Sequence, residues 1–185
     1  MSGTAGLPNL VLIVMGVSGA GKSTIAEALD ARLHWPFQEG DDLHPPANIQ
    51  KMHAGIPLDD TDRAPWLAAC KAWIDARVAR GEPGFITCSA LKRKYRDYLT
   101  ESRPNVRVLY LRASREILEE HVHERTGHFM PPSLLDSQLA TLEEPTPDEN
   151  PIVVNVESTV ERTADEAIIA IRAAAAAASQ PAPAG

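Results

Sequence analysis

The sequence of 185 residues has few cysteines, no long apolar run and no excess of positive charge. Its two cysteines, Cys70 and Cys88, form no C-x-x-C pair, which indicates buried thiols in a reducing compartment rather than disulfides or a zinc site. The first apolar run, at 10–15, is shorter than a signal-peptide core or a membrane span. A formal net charge of −7 disfavours nucleic acid as the main partner. We therefore predict a cytoplasmic protein without a membrane or nucleic-acid partner.

The length predicts one domain over residues 1–185. A chain of this size can bury about 70% of the surface that its unfolded form exposes, so it needs no disulfide to be stable. We place the core at about residues 10–175. Residues 176–185 end in Gln-Pro-Ala-Pro-Ala-Gly and are predicted to form a flexible tail.

Short β-type runs alternate with amphipathic helical patterns along the chain. Several of the runs are almost wholly apolar, as expected for parallel strands that are covered on both faces. The alternation predicts an α/β fold of three layers (α/β/α) around a mostly parallel five-stranded sheet. The predicted strands are 10–15, 35–38, 85–88, 106–111 and 152–156.

Two long polar segments interrupt this alternation, one at 40–64 and the other at 125–150. Ligands of parallel α/β sheets bind at the carboxyl ends of the strands, where such insertions lie. Long loops at this position form binding pockets and closing lids. We therefore predict a substrate-binding segment at 40–64 and a lid at 125–150.

The turn after the first predicted strand reads G-V-S-G-A-G-K-S and matches the phosphate-binding pattern G-x-x-x-x-G-K-S. Its glycines let backbone N–H groups approach phosphate oxygens, and the following helix adds a positive N-terminal end. In this pattern Lys22 contacts the β- and γ-phosphates and the Ser23 hydroxyl ligates Mg²⁺. We therefore predict a nucleoside triphosphate site. Its residues are Gly16, Val17, Ser18, Gly19, Ala20, Gly21, Lys22, Ser23 and Thr24.

The reaction class depends on acidic residues near this loop. No Asn-Lys-x-Asp is present, which disfavours a GTPase, and the third predicted strand ends without the carboxylate expected of a motor ATPase. The first candidate acids are Glu39, Asp41 and Asp42, at the end of the second predicted strand. A carboxylate there can hold the water shell of Mg²⁺ and orient an attacking hydroxyl. We favour Asp41 for these tasks and interpret Asp42 as a solvated turn residue.

Several longer segments carry a more specific pattern. They read E-G-D-D-L-H-P at 39–45, N-I-Q-K-M at 48–52, P-L-D-D-T-D-R-A-P-W-L at 57–67, C-S-A-L-K-R-K-Y-R-D at 88–97, G-H-F-M at 127–130 and S-Q-L-A-T-L-E at 137–143. In sequence, order and spacing these segments resemble the gluconokinase family. The resemblance extends over most of the chain.

That resemblance implies an adenylate-kinase-like P-loop fold related to the shikimate kinases. It implies an enzyme that uses ATP and Mg²⁺ to phosphorylate D-gluconate to 6-phospho-D-gluconate, in catabolism that feeds the pentose phosphate and Entner–Doudoroff routes. It also suggests a homodimer. Shikimate kinases typically have Asp-x-Asp where this chain has Glu39-Gly40-Asp41, so the resemblance leaves the metal role of Glu39 open.

A sugar acid needs a cation for its carboxylate and hydrogen-bonding groups for its hydroxyls. Arg63 could bind the carboxylate with two hydrogen bonds, or be a solvated arginine at a helix start. Lys92 and Arg96 follow the third predicted strand and could contact the substrate or the transferred phosphate, or form an exposed basic helix face. His44 could bind the polyol or be a simple turn histidine.

The predicted lid contributes Arg125 and His128. Phosphoryl transfer needs positive charge around the equatorial oxygens and exclusion of water. Arg125 could supply that charge or stack on the adenine, which we expect near 155–160, and His128 is predicted to contact the substrate. The catalytic candidates are therefore Lys22, Asp41, Lys92 and Arg125.

The motifs are compatible with two other functions. One is a P-loop kinase for another small polyol acid, and the other is a non-catalytic ATP-binding regulator. Release of ADP in the presence of gluconate distinguishes the proposed kinase from the regulator. A panel of related acids distinguishes it from the other kinases.

Overall fold

The computed structural model describes residues 9–124, 132–156 and 159–178. In these residues five strands form one sheet in the order β2-β3-β1-β4-β5, and every neighbouring pair is parallel. The strands are β1 (Val11–Met15), β2 (Phe37–Gln38), β3 (Gly84–Thr87), β4 (Val106–Arg112) and β5 (Ile152–Asn155). The predicted fold class is therefore confirmed.

Helices connect the strands and cover both faces of the sheet. The α-helices are α1 (Lys22–Leu33), α2 (Pro46–His53), α3 (Asp60–Arg80), α4 (Arg93–Thr100), α5 (Arg115–Glu124), α6 (Pro132–Thr141) and α7 (Val160–Ala178). Short 3₁₀ helices lie at Gly40–Leu43 and Pro147–Glu149. None of the described helices is both long and apolar enough to cross a membrane.

Strand β1 illustrates how the sheet is covered on both faces. Every residue of the strand is buried. Leu12 and Val14 pack in one apolar cluster with α1 and α7. Val11, Ile13 and Met15 pack in the opposite cluster with α3 and α4. Because successive side chains of a strand point to opposite faces, a central strand between two helical layers must be continuously apolar.

The parallel arrangement brings the carboxyl ends of β1, β2 and β3 to one edge of the sheet. Val14 of β1 is in register with Thr87, the last residue of β3. Gln38, the last residue of β2, is in register with Ile86. The phosphate-binding loop, the acidic residues after β2 and the segment after β3 therefore begin side by side, as expected of a doubly wound sheet.

Each strand differs from its predicted bounds by one or two residues, and two helices extend into the segments predicted as lid and tail. The second strand begins at Phe37 rather than at 35, because Trp35 instead stacks on Phe85 with ring centroids 5.2 Å apart. Helix α7 continues to Ala178, into the predicted tail, since alanine has the highest helix propensity. Part of the predicted lid is α6, and its Leu135 is buried in the core.

Candidate active site

The loop between β1 and α1 has the backbone that its glycines predict. Gly19 and Gly21 have φ angles of 89° and 87°, in the left-handed region that glycine adopts without strain. Helix α1 begins directly after the loop, so its N-terminal N–H groups and positive dipole end lie beside it. Lys22 Nζ donates to the carbonyl oxygens of Gly16 (3.0 Å) and Val17 (3.3 Å). The predicted phosphate-binding lysine therefore lies against the loop.

The Glu39 carboxylate links three elements beside this loop. Ser23 Oγ on α1 donates to Glu39 Oε2, and Thr87 Oγ1 at the end of β3 donates to Glu39 Oε1. Ser23 is the predicted Mg²⁺ ligand, and a hydroxyl beside a carboxylate forms the kind of hard oxygen set that Mg²⁺ prefers. The structure therefore places Glu39, and not Asp41, next to the predicted metal ligand.

A glycine determines where the acidic residues after β2 point. The Gly40 N–H donates to Thr87 Oγ1 (2.9 Å), and the Gly40 carbonyl accepts from Trp66 Nε1 on α3 (2.8 Å). A Cβ atom at residue 40 would lie 1.8 Å from the Thr87 carbonyl oxygen, so a larger residue would separate β2 from β3. The 3₁₀ helix Gly40–Leu43 then turns the chain, and the Asp41 side chain is 82% exposed.

His44, which was predicted to contact the substrate, is buried beside Asp41. Its ring stacks on Trp66 with centroids 4.4 Å apart and an interplanar angle of 11°. His44 Nε2 lies 4.0 Å from Asp41 Oδ1. Burial lowers the pKa of His44, the Asp41 carboxylate opposes that shift, and the Arg63 guanidinium adds to it. The imidazole is therefore neutral at neutral pH.

A cavity of about 270 Å³ brings two of the predicted substrate residues together. Arg63 and Lys92 both line it, and both cations lie 5.8 Å from the ring centroid of Tyr95. Arg63 Nη1 also lies 3.5 Å from the Tyr95 hydroxyl. The other lining residues are Pro57, Leu58, Asp59, Asp60, Ser137 and Thr141. We call this cavity the acid pocket.

Asp60 is one of two aspartates that line the acid pocket, and it contacts the cations there. Its carboxylate accepts from Lys94 Nζ and from the Tyr95 hydroxyl, and Lys92 Nζ lies 3.5 Å away. The hydrogen bonds from Lys94 and then from Tyr95 hold the pKa of Asp60 well below its usual range. No local sequence pattern marks Asp60 and Tyr95 as partners, because their contact joins residues 35 positions apart.

Arg96, which was predicted to contact the substrate, is a buried structural residue. It is 1% exposed. Its Nε and Nη2 donate to the Glu149 carboxylate at 2.5 Å and 2.9 Å, and Nη1 donates to the carbonyls of Ala90 and Leu91. The guanidinium therefore ties α4 to the 3₁₀ helix Pro147–Glu149, and the prediction of a substrate contact is wrong.

Two side chains that sequence analysis gave no functional role contact the phosphate-binding loop. His121 Nδ1 on α5 lies 2.7 Å from the Gly19 carbonyl oxygen. The Ser18 N–H donates to Gln138 Oε1 on α6 (2.7 Å). Because α6 also lines the acid pocket, this helix contacts both the loop and the pocket. Gln138 lies in the segment 137–143 that carries the family resemblance, which was the only signal for it.

The remaining predicted residues lie outside the part of the chain that the structure describes. These are Arg125 and His128, together with part of the segment 155–160. Their roles in binding phosphate, substrate and adenine stay predictions. The homodimer and the cytoplasmic location also stay predictions.

Comparison with known proteins identifies the family. Residues 11–145 match the family model described as an AAA domain. The chain is 52% identical over 152 residues to the gluconokinase of Gluconobacter oxydans. The matched region covers 82% of this chain and 85% of that protein. The chain belongs to the gluconokinase family. It is also 43% identical over 164 residues to the thermosensitive gluconokinase of Escherichia coli, covering 86% of this chain and 88% of that one.

Structural similarity agrees with membership of the gluconokinase family. The crystal structure of a gluconokinase from Sinorhizobium meliloti has a TM-score of 0.82 and 46% sequence identity to this chain. The match covers 92% of this chain and 95% of that one. The resemblance, the P-loop kinase fold and the enzyme class that were predicted from the sequence are therefore confirmed.

Proposed function

We propose that the protein transfers the γ-phosphoryl group of ATP to the 6-hydroxyl of D-gluconate and releases 6-phospho-D-gluconate and ADP. The observation that carries this proposal is the acid pocket, which offers Arg63 together with several hydroxyls and shares helix α6 with the phosphate-binding loop. The relatives from Gluconobacter oxydans, Escherichia coli and Sinorhizobium meliloti are named gluconokinases, which supports the same substrate.

The chemistry of the acid pocket suits an open-chain sugar acid. Within the described residues Lys92 is paired with Asp60, whereas Arg63 has no ion pair, so Arg63 is the cation available for a substrate carboxylate. The hydroxyls of Tyr95, Ser137 and Thr141 can exchange hydrogen bonds with a polyol. A cavity of about 270 Å³ suits a small acid.

On the donor side, the backbone N–H groups of the loop and Lys22 would hold the phosphates of ATP. Ser23 and Glu39 fit Mg²⁺ by their hard oxygen donors, and they would hold it directly or through water. When bound there, Mg²⁺ neutralises charge on the β- and γ-phosphates. Lys22 would turn from the Gly16 and Val17 carbonyls towards the phosphates.

On the acceptor side, Asp41 would orient the 6-hydroxyl and accept its proton. The new bond joins the 6-oxygen to the γ-phosphorus, and the broken bond joins that phosphorus to the bridging oxygen that leaves with ADP. Because the transition state is loose, the proton leaves late and alignment accounts for most of the acceleration. Such alignment can contribute on the order of 7–11 kcal/mol.

Replacing Arg63 with alanine tests the carboxylate site. We expect KM for gluconate to rise about 10- to 100-fold, because a charged hydrogen-bonding partner of the carboxylate is removed. KM for ATP should change less than about twofold. A coupled ADP-release assay with each substrate varied in turn measures both constants.

Arg77 provides a matched control on the same helix. It stacks on Trp73 and pairs with Glu82, away from the acid pocket, so Arg77→Ala should leave both KM values unchanged. The same assay on gluconate epimers, shikimate and neutral sugars tests the substrate class. Equal increases in the two KM values of Arg63→Ala, or faster turnover of a neutral sugar than of gluconate, would reject the proposal.

The two acidic residues after β2 are expected to differ in their effects. Glu39→Gln removes the carboxylate beside Ser23, so the Mg²⁺ concentration for half-maximal rate should rise about tenfold or more. Asp41→Asn should instead lower kcat about 10²- to 10⁴-fold at saturating Mg²⁺, as for loss of a general base. Titrations of rate against Mg²⁺ separate the two effects.

Asp42→Asn is the control for this pair, because Asp42 is exposed and lies next to Asp41. It should change neither kcat nor the Mg²⁺ requirement. If Asp41→Asn raised KM for gluconate without lowering kcat, Asp41 would bind substrate rather than accept the proton. If Glu39→Gln left the Mg²⁺ titration unchanged, Glu39 would have no part in metal binding.

A further inference from the structure

Asn48, on α2, is a buried polar residue whose side chain contacts two hydrogen-bonding groups. It is 3% exposed. Its amide nitrogen Nδ2 donates to the Asp62 carbonyl oxygen (2.8 Å) and lies 3.2 Å from His44 Nδ1. No role in the reaction proposed above depends on Asn48. Its contacts nevertheless determine which ring nitrogen of His44 carries the proton.

The orientation of the Asn48 amide follows from its contact with Asp62. A backbone carbonyl can only accept a hydrogen bond, so the amide nitrogen, and not the amide oxygen, must face it. That same nitrogen carries the N–H that faces His44 Nδ1. An N–H donor opposite Nδ1 requires a lone pair on Nδ1. The proton of the neutral His44 ring is therefore on Nε2.

The His44 ring is held rigidly in that state. It stacks on Trp66, whose own Nε1 is fixed by the Gly40 carbonyl. Among the described residues no buried side-chain nitrogen or oxygen lacks a hydrogen-bond partner. Within that part of the chain His44 Nε2 has no partner at hydrogen-bond distance, so this atom is not enclosed and can reach a ligand.

The distance from Nε2 to Asp41 Oδ1 is 4.0 Å, which is too long for a direct hydrogen bond. A hydroxyl fits between them if it accepts from Nε2–H at about 2.9 Å and donates to the carboxylate at about 2.7 Å. This arrangement points the hydroxyl proton at Asp41. A histidine with its proton on Nδ1 instead would present only an acceptor to the same hydroxyl.

We propose that Asn48 is a positioning residue that fixes His44 as the Nε2–H tautomer, so that His44 donates to a substrate hydroxyl and directs its proton towards Asp41. The tautomer follows from the contacts of Asn48 alone. The consequence for turnover rests on the proposed function. Asp41 and Arg63 are the charged groups whose fields act on the ring, and neither contacts Nδ1.

The first test is an NMR measurement on the resting enzyme without substrate. Nitrogen-15 labelling of the six histidines distinguishes protonated from unprotonated ring nitrogens, and His44→Gln assigns the signal. We expect His44 to carry its proton on Nε2, and Asn48→Asp to move the proton to Nδ1 or to protonate both nitrogens, since a carboxylate can only accept. A wild-type ring with its proton on Nδ1 overturns the proposal, whether or not Asn48→Asp folds.

The second test is a double-mutant cycle on turnover. Asn48→Asp should lower kcat for gluconate about 10- to 100-fold and change KM for ATP less than about twofold. In a His44→Ala background the same substitution should have no further effect, because Asn48 acts through His44. Additive losses would indicate a merely structural role and overturn the proposal.

Gln50→Glu is the matched control, because Gln50 is an exposed amide on the same helix. It should change neither the His44 tautomer nor kcat. The two arms also separate this proposal from the function on which it rests. If no sugar acid is phosphorylated, the proposed function fails, whereas the NMR arm still decides the tautomer.

Discussion

Replacing Lys22 with alanine is expected to lower kcat about 10²- to 10³-fold while the protein remains folded. In the proposed reaction this side chain would bring positive charge to the β- and γ-phosphates, and stabilising charge that develops in the transition state affects kcat most strongly. Lys22 Nζ donates to two loop carbonyls, so its loss removes little packing. Single-turnover measurements with ATP and gluconate give the rate, and circular dichroism reports the fold.

Lys71→Ala is the control for the charge change itself. Lys71 on α3 pairs with Asp75 and Glu101, and such partly exposed pairs contribute about 1 kcal/mol or less. Its removal should leave kcat unchanged. A Lys22→Ala enzyme that retained more than about a tenth of wild-type turnover would contradict the assignment of residues 16–23 to ATP.

Breaking the ion pair between Arg96 and Glu149 is expected to produce the largest loss of stability. Both side chains are almost fully buried, at 2% and 6% exposure. Arg96→Met leaves the Glu149 carboxylate without its partner in a poorly solvated site, and such losses cost about 3–5 kcal/mol. Urea unfolding at neutral pH, followed by fluorescence, measures the change in the free energy of unfolding.

Two comparisons separate burial of the charge from loss of the arginine alone. Arg103→Met removes a more exposed arginine that pairs with Asp75 and Glu101, and it should cost about 1 kcal/mol or less. The double variant Arg96→Met with Glu149→Met removes both charges and should be more stable than Arg96→Met alone. A loss below about 1 kcal/mol in Arg96→Met would show that the pair contributes little.

The strands and the phosphate-binding loop were predictable because their signals are local. Strand β1 is a short, wholly apolar run, and the loop needs glycine at fixed positions directly after it. These properties depend on residues within a few positions of one another. The start of the second strand was less predictable, because the packing of Trp35 on Phe85 joins distant parts of the chain.

The assignment of Glu39 and Asp41 required the turn geometry. In a continuous strand, residues 39 and 41 would share a face. The 3₁₀ helix Gly40–Leu43 begins between them, so Glu39 points to Ser23 and Thr87 while Asp41 is exposed. The close approach of residue 40 to β3 causes this turn, and no sequence pattern reports that distance.

Arg96 was misassigned because its partner is 53 residues away. Its position after the third strand suggested the ligand edge of the sheet, as for Lys92. In α4, however, the buried residues Tyr95 and Leu99 are four apart and define the core face, and Arg96 lies next to that face. An arginine at such a position can be buried when a distant carboxylate accepts hydrogen bonds from its guanidinium. The helix pattern alone does not show that partner.

The most direct test of the account is phosphorus-31 NMR of a mixture of the enzyme, ATP, Mg²⁺ and D-gluconate. Transfer to the 6-hydroxyl predicts one new phosphomonoester signal, split by the two protons on carbon 6, together with an equal amount of ADP. The signal should be absent without gluconate and strongly reduced with Lys22→Ala. Release of inorganic phosphate alone, or an ester split by a single proton, would contradict the account.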